Sequence, residues 1–221
     1  MCIIKGKNSA VLGDFVYDQL KEMILTRKIR CGEKIQEQQI EKLLNVSRTP
    51  VREAVRKLSN EGIVILYPNR YAEVITFTEE SIKELGMVRI TMDCLAAQQA
   101  IQNGSNRDFD ELKDLVKLCD EAHENKDFYQ QIQYDAQFHM KLINISKNTV
   151  LIDILNNLLS RTQLLQTTIE DFSTRCEVKN HHAILDELYA RNRTGVLTAV
   201  QNHLCPFYHL EIEDINSIIF K

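Results

Sequence analysis

Residues 46–64 read VSRTPVREAVRKLSNEGIV, and the two faces of this stretch decide the fold. Val51, Ala54, Val55 and Leu58 follow the i, i+3, i+4, i+7 rule, so one side of a helix is apolar and turned to a core. Arg48, Arg52 and Arg56 fall at i, i+4 and i+8 and line the opposite, solvent-facing side. Ser47 or Thr49 supplies the start signal, with Pro50 in the first turn, where proline is tolerated. Upstream, Leu12, Val16, Leu20, Met23 and Ile24 predict an amphipathic helix from Leu12 to Ile29. A shorter helix follows around Gln36–Leu44, carrying Ile40, Leu43 and Leu44 on one side, and then the tight turn Asn45-Val46-Ser47. Three guanidiniums on an exposed helix face, after a short helix and a tight turn, suit a recognition helix meeting bases and phosphates in a major groove. A plain solvated charged face is the alternative, and the next element weighs against it.

Asn60-Glu61-Gly62 ends the helix. Residues 63–66 and 72–75 then read as two short strands around the turn Tyr67-Pro68-Asn69-Arg70-Tyr71, a hairpin with Arg70 at its tip. A helix-turn-helix followed by a basic hairpin is a winged helix. The charge distribution agrees. The net charge is −4, but residues 1–76 hold 13 Lys+Arg against 9 Asp+Glu while residues 77–221 hold 14 against 22. A basic N-terminal part joined to an acidic remainder fits a DNA reader attached to something that is not one.

The rest of the composition excludes several classes. No apolar run approaches the roughly 20 residues of a membrane helix, and MCIIKGK lacks a signal-peptide core, so a cytoplasmic protein is expected. The cysteines Cys2, Cys31, Cys94, Cys119, Cys176 and Cys205 form no CxxC pair, which argues against a zinc ribbon or a disulfide framework. At 221 residues two domains are expected, a winged helix over 8–76 and a second domain over 78–221.

In the second part, start signals at Thr78, Ser105, Asp127, Asn148, Ser173 and Thr194 predict about six helices and no strand, an antiparallel all-α bundle. Its inward stripes carry unusual residues. Phe128, Ile132, Asp135, His139 and Leu142 share one apolar stripe. Val178, His181, Leu185 and Leu188 share another, and Val196, Val200, His203, Phe207 and Leu210 a third on a single last helix. His182 falls on the polar side with Lys179 and Asp186. One aspartate and three imidazoles aimed at a bundle core are costly to bury unless something satisfies them. Any one histidine alone reads as a hydrogen-bonded core residue. Together, Asp135, His139, His181 and His203 point to a divalent metal, zinc first, with nickel, manganese or iron as the other candidates. Arg89 lies on the stripe Ile82, Leu85, Met92, Ala96. A buried guanidinium there needs an anion, the carboxylate of a small effector; otherwise Arg89 pairs with Asp93 one turn on or snorkels outward.

The stretch VSRTPVREAVRKLSNEGIV resembles the recognition-helix signature of GntR-type bacterial transcription regulators, and PNRYAEV resembles the wing that follows it. The resemblance implies that Ser47, Arg48, Thr49 and Arg52 contact operator DNA, supported by Asn69 and Arg70. The chain departs from the pattern at Tyr71, where the family has glycine. DAQFHMKLINISKN, NHHAILDEL and AVQNHL resemble motifs of the FCD-type effector domain of the FadR-like branch. That resemblance implies the ligand set Asp135, His139, His181 and His203, with Asn180 in place of the usual glutamate, and an effector contact at Arg89. It further implies a repressor released by a small carboxylate effector. A homodimer on a near-palindromic operator follows from the helix-turn-helix itself. An ion that is itself the signal, or a metal-dependent hydrolase, are the competing readings; no nucleophile or general base stands near the ligands, so an enzyme is not expected and no catalytic residue is assigned.

Overall fold

The computed structural model describes residues 9–68, 70–169 and 179–219. These fall into two compact units: residues up to Thr76 together with Ser160–Thr168, and Phe77–Leu159 together with the residues from Ile169 on.

The first unit is a winged helix-turn-helix. Helix α1 (Ser9–Leu25) packs on α3 (Arg48–Asn60), with α2 (Glu37–Leu44) beside α3. Val16, Leu20 and Ile24 of α1 and Val51, Ala54, Val55 and Leu58 of α3 are almost entirely withdrawn from water. Burial of this kind, about 1.5–3 kcal/mol for each large aliphatic side chain, is what fixes α3 on its scaffold. The first helix ends four residues before the expected Ile29, because Arg27 takes a left-handed φ of 62° and turns the chain out of the helix. Ile29 is still buried, in the turn that follows. Asn45, with φ 52°, makes the left-handed exit of α2, as asparagine does readily. Ser47 occupies the cap position of α3, but its side chain makes no capping hydrogen bond.

Strands β2 (Val64–Tyr67) and β3 (Tyr71–Val74) form the expected antiparallel hairpin, with Val64 opposite Val74 and Tyr67 opposite Tyr71. A two-residue strand β1 (Lys34–Ile35) adds to the free edge of β3, giving the order β1-β3-β2. This strand is not among the expected elements, because two residues are too few for an alternating pattern to register.

The second unit is all-helical among the described residues: α4 (Glu79–Asn103), α5 (Asn106–Glu124), α6 (Phe128–Ile145), α7 (Thr149–Thr168, whose last part belongs to the first unit), α8 (Lys179–Tyr189), α9 (Arg193–Leu204), a short 3-10 turn (Pro206–Tyr208) and α10 (Ile212–Ile219). Thr78 and Ser105 make reciprocal capping boxes, and Asp127 and Asn148 each accept a hydrogen bond from the backbone N–H three residues on. These are the expected start signals. Ser173 lies outside the described residues. The cap of α9 is Asn192, which bonds Gly195 N, rather than Thr194. The expected single last helix is broken: Pro206 cannot continue α9, and a separate α10 follows. Phe207 therefore does not continue the stripe of His203. Phe128, the first residue of α6, is exposed rather than inward. Around the site, α4 packs on α6 and α9, and α8 on α5 and α9. No described helix is long and apolar enough to cross a membrane.

Candidate DNA-reading face and metal centre

Helix α3 presents its charged side as its spacing requires. Ser47, Arg48, Thr49, Arg52 and Arg56 are all exposed. Arg70, in the hairpin turn, is exposed as well, and Asn69 lies outside the described residues. The structure gathers Arg48, Arg52, Arg56 and Arg70 along one cleft of about 760 Å³ between α3, the start of α2 and the hairpin. Two charged residues that sequence reasoning passed over line the same cleft, Lys34 and Glu37. Lys34 places its ammonium 4.0 Å above the Tyr71 ring, and Tyr71 in turn sits 4.6 Å, centre to centre, from Tyr67. Tyr71 is not among the positive-φ residues. Its place in the wing is ordinary strand backbone, so the family's glycine is not needed there for its conformational freedom. Glu37 reaches Arg48 Nε at 3.5 Å and Arg52 Nε at 3.2 Å, both through Oε2.

In the second unit the inward stripes converge. Asp135 and His139 come from α6, His181 from α8 and His203 from α9, all buried, and one ligand atom of each lies within 4.8 Å of every other. His139 Nε2 stands 3.2 Å from His203 Nε2 and 3.9 Å from Asp135 Oδ1, while His181 Nε2 stands 3.3 Å from Asp135 Oδ1. His182, as expected from its polar face, is exposed and meets Asp120 instead.

Two observations test whether these residues fit a cation. The Nδ1 atoms of His181 and His203 are buried with no hydrogen-bond partner, an arrangement normally costing about 1–3 kcal/mol per group. The titration directions agree. Burial, joined by the charges of His181 and His139, holds His203 well below its ordinary value. Burial likewise lowers His181 and outweighs its contact with Asp135. Burial pushes the Asp135 carboxyl up, but the hydrogen bond and charges of the surrounding imidazoles outweigh it and hold it below the usual carboxylate range. A lowered imidazole, as at His181 and His203, gives up its proton more readily and a lowered carboxyl stays ionised, both of which favour binding of a divalent ion. The residues fit.

Arg89 and Asp93, on α4, lie beneath this cluster. Arg89 is wholly buried and donates from Nε to Asp93 Oδ2 at 2.7 Å. Burial opposes the charge of both, yet each holds the other ionised: Arg89 stays above its ordinary value and Asp93 below it. Asp93 Oδ2 also approaches His139 Nδ1, at 3.4 Å. A carboxylate set against one imidazole nitrogen would favour the proton on that nitrogen and leave the other free for a metal. The sequence showed Asp93 only as one anion Arg89 could meet; its approach to His139 depends on the crossing of α4 and α6.

Residues 12–74 match the family described as bacterial regulatory proteins, gntR family, and residues 84–205 match the FCD domain. The chain is 25% identical over 207 residues to the uncharacterized HTH-type transcriptional regulator YdhC of Bacillus subtilis, covering 92% of this chain and 90% of that protein. It is 25% identical over 191 residues to the HTH-type transcriptional repressor RspR of Escherichia coli, covering 86% and 84%. A solved structure of a GntR regulator from Rhodococcus sp. RHA1 superposes with a TM-score of 0.78 at 22% identity, covering 93% of this chain and 98% of that one. These relatives are regulators, and the hydrolase reading of the buried ligand set falls with them. The chain belongs to the GntR family of DNA-binding bacterial transcription regulators, its C-terminal part being an FCD domain.

Proposed function

We propose that the chain is a cytoplasmic, effector-responsive repressor that reads a near-palindromic operator as a homodimer and is released by a small carboxylate compound bound at a divalent ion in the second unit. The observation that carries the ligand half is the closed set of four buried donor atoms within 4.8 Å of one another. Asp135, His139, His181 and His203 would hold the ion, zinc being favoured by three imidazoles and one carboxylate. The ion would supply a Lewis-acid partner for an effector carboxylate. Arg89, held by Asp93, adds positive charge beneath the same cluster. RspR, a relative that carries repressor in its name, supports the direction of control.

On the DNA side, Ser47, Arg48, Thr49, Arg52, Arg56, Asn69 and Arg70 are the proposed contacts, the arginines to guanine edges and phosphates. The effector would act through its different affinity for the operator-competent and released arrangements. The test is a footprint on an operator selected from fragments of the source genome. Arg52→Ala is expected to weaken specific binding by about 1–3 kcal/mol; an unchanged footprint at fixed salt removes α3 from base reading.

A second reading, the ion itself as signal, is favoured by how completely the chain's own side chains surround the ligand set. Chelation separates the two. If operator affinity follows free metal with no organic ligand present, the chain senses metal; if affinity stays with the apoprotein until a carboxylate is added to the metal-loaded form, the effector reading stands.

A further inference from the structure

Lining the DNA-facing cleft are the cations Lys34, Arg48, Arg52, Arg56 and Arg70, and Glu37 is the one acidic side chain beside them among the described residues. An acid there is electrostatically contrary. Phosphate contacts supply most of the sequence-independent affinity for DNA, and a fixed negative charge at that surface works against all of them. We propose that Glu37 is a positioning residue for sequence specificity, a brace that aims Arg48 and Arg52 at base edges and withholds them from phosphates. The proposal rests on α3 being the recognition helix.

The geometry is specific. Arg48 and Arg52 stand at i, i+4 on α3, where like charges repel, and their side chains are 61% and 52% exposed. Left alone, two long exposed guanidiniums would swing apart toward whatever phosphate is nearest. One oxygen, Glu37 Oε2, lies between them, 3.5 Å from Arg48 Nε and 3.2 Å from Arg52 Nε. Both contacts use Nε, which leaves the terminal nitrogens of each guanidinium for the paired acceptors of a guanine edge. Glu37 is itself held. Its side chain is only 26% exposed, and it is the first residue of α2, where the positive end of the helix favours a carboxylate. The brace therefore comes from the short helix that precedes the turn, and the turn's left-handed Asn45 brings α2 and α3 into register for it.

A brace and a structural cap predict different outcomes. If Glu37 merely stabilised α2, its loss would weaken binding to every duplex alike. If it aims the arginines, its loss frees them for phosphates, so random DNA should bind more tightly while the operator loses its advantage.

The experiment titrates the full chain and its variants Glu37→Gln, Glu37→Asp and Arg52→Ala against operator and scrambled duplexes by fluorescence anisotropy across a salt series, with thermal midpoints measured alongside. Glu37→Gln is expected to bind the scrambled duplex more tightly and to steepen its log K against log salt slope by about one phosphate contact. The operator-to-scrambled ratio should fall about tenfold, within the range of one bidentate base contact. Glu37→Asp keeps the charge but is too short to reach both arginines, so its ratio should fall with the slope unchanged; it also decides the matter if the glutamine variant does not fold. A folded variant whose ratio equals that of the unaltered chain, or whose binding to both duplexes weakens by the same factor, overturns the proposal. Loss of operator preference in Arg52→Ala is required by the underlying reading. If that preference survives, the recognition-helix assignment has failed, whatever the Glu37 variants do.

Discussion

Arg89 shows how much one side chain can decide. Its guanidinium is fully buried, and Asp93 is the anion the structure gives it within α4. Outward snorkelling, which the sequence also leaves open, is thereby ruled out, while pairing with Asp93 does not exclude an effector contact, since a guanidinium with five donors can serve an internal carboxylate and a ligand together. A buried ion pair contributes little net stability while intact, but removing one partner strands the other charge. Arg89→Met is accordingly expected to destabilise the chain by about 3–5 kcal/mol, read from chemical denaturation, with the double variant Arg89→Met/Asp93→Leu recovering part of the loss. A single variant as stable as the unaltered chain would show that Asp93 is not ionised in the folded state. Legibility at this scale followed periodicity. Asp135, His139, His181 and His203 could be placed inward because each sits on an apolar stripe of its own helix. Phe128 was misplaced because a first-turn residue has no preceding turn to pack on. The approach of Asp93 to His139 could not be read at all, since it joins positions 46 residues apart on different helices.

Among the elements, the C-terminal end of α3 carries a polar junction whose behaviour with pH can be stated. Just past Asn60, Glu61 accepts hydrogen bonds from Tyr17 and Lys21 of α1, the latter at 2.8 Å, and from Ser160 at 2.7 Å, within the same compact unit. Burial raises the Glu61 carboxyl, but the bonds from Lys21, Ser160 and Tyr17 outweigh it and hold the group below its ordinary value of 4.5. A depressed carboxylate stabilises the fold above its unfolded value, and that contribution is lost as pH falls through the folded one. Glu61→Gln should therefore cost about 1–3 kcal/mol near neutral pH, and the gap between variant and unaltered chain should close as the pH drops from about 5 to 3. A gap that stays constant over that range would mean Glu61 acts through shape rather than charge. Element boundaries were legible where a short polar cap precedes an apolar period, as at Thr78, Ser105, Asp127 and Asn148. They were not where tertiary context chose between signals. Asn192 and Thr194 are both capping types, and Asn192 is the one that caps α9. Pro206 was a visible stop that the periodicity of Phe207 and Leu210 masked; Leu210 is buried even so, outside any helix.

For the molecule as a whole, the opposite charge of the two parts of the chain corresponds to two kinds of surface. Cationic side chains are turned outward along a cleft in the first unit, and imidazoles are turned inward in the second. Both were legible as faces, because helical spacing assigns a face without knowing the neighbours. The convergence of three helices on one point was not, since spacing says nothing of where the helices cross. We propose that those inward imidazoles hold an ion. Native mass spectrometry of the gently purified protein reads this out, with His139→Ala/His203→Ala as the comparison and circular dichroism confirming that both are folded. One divalent ion per chain is expected in the unaltered protein and none in the double variant. The same ion content in both, or no ion in the unaltered protein after incubation with zinc, nickel, manganese and iron in turn, would remove the ion from the site.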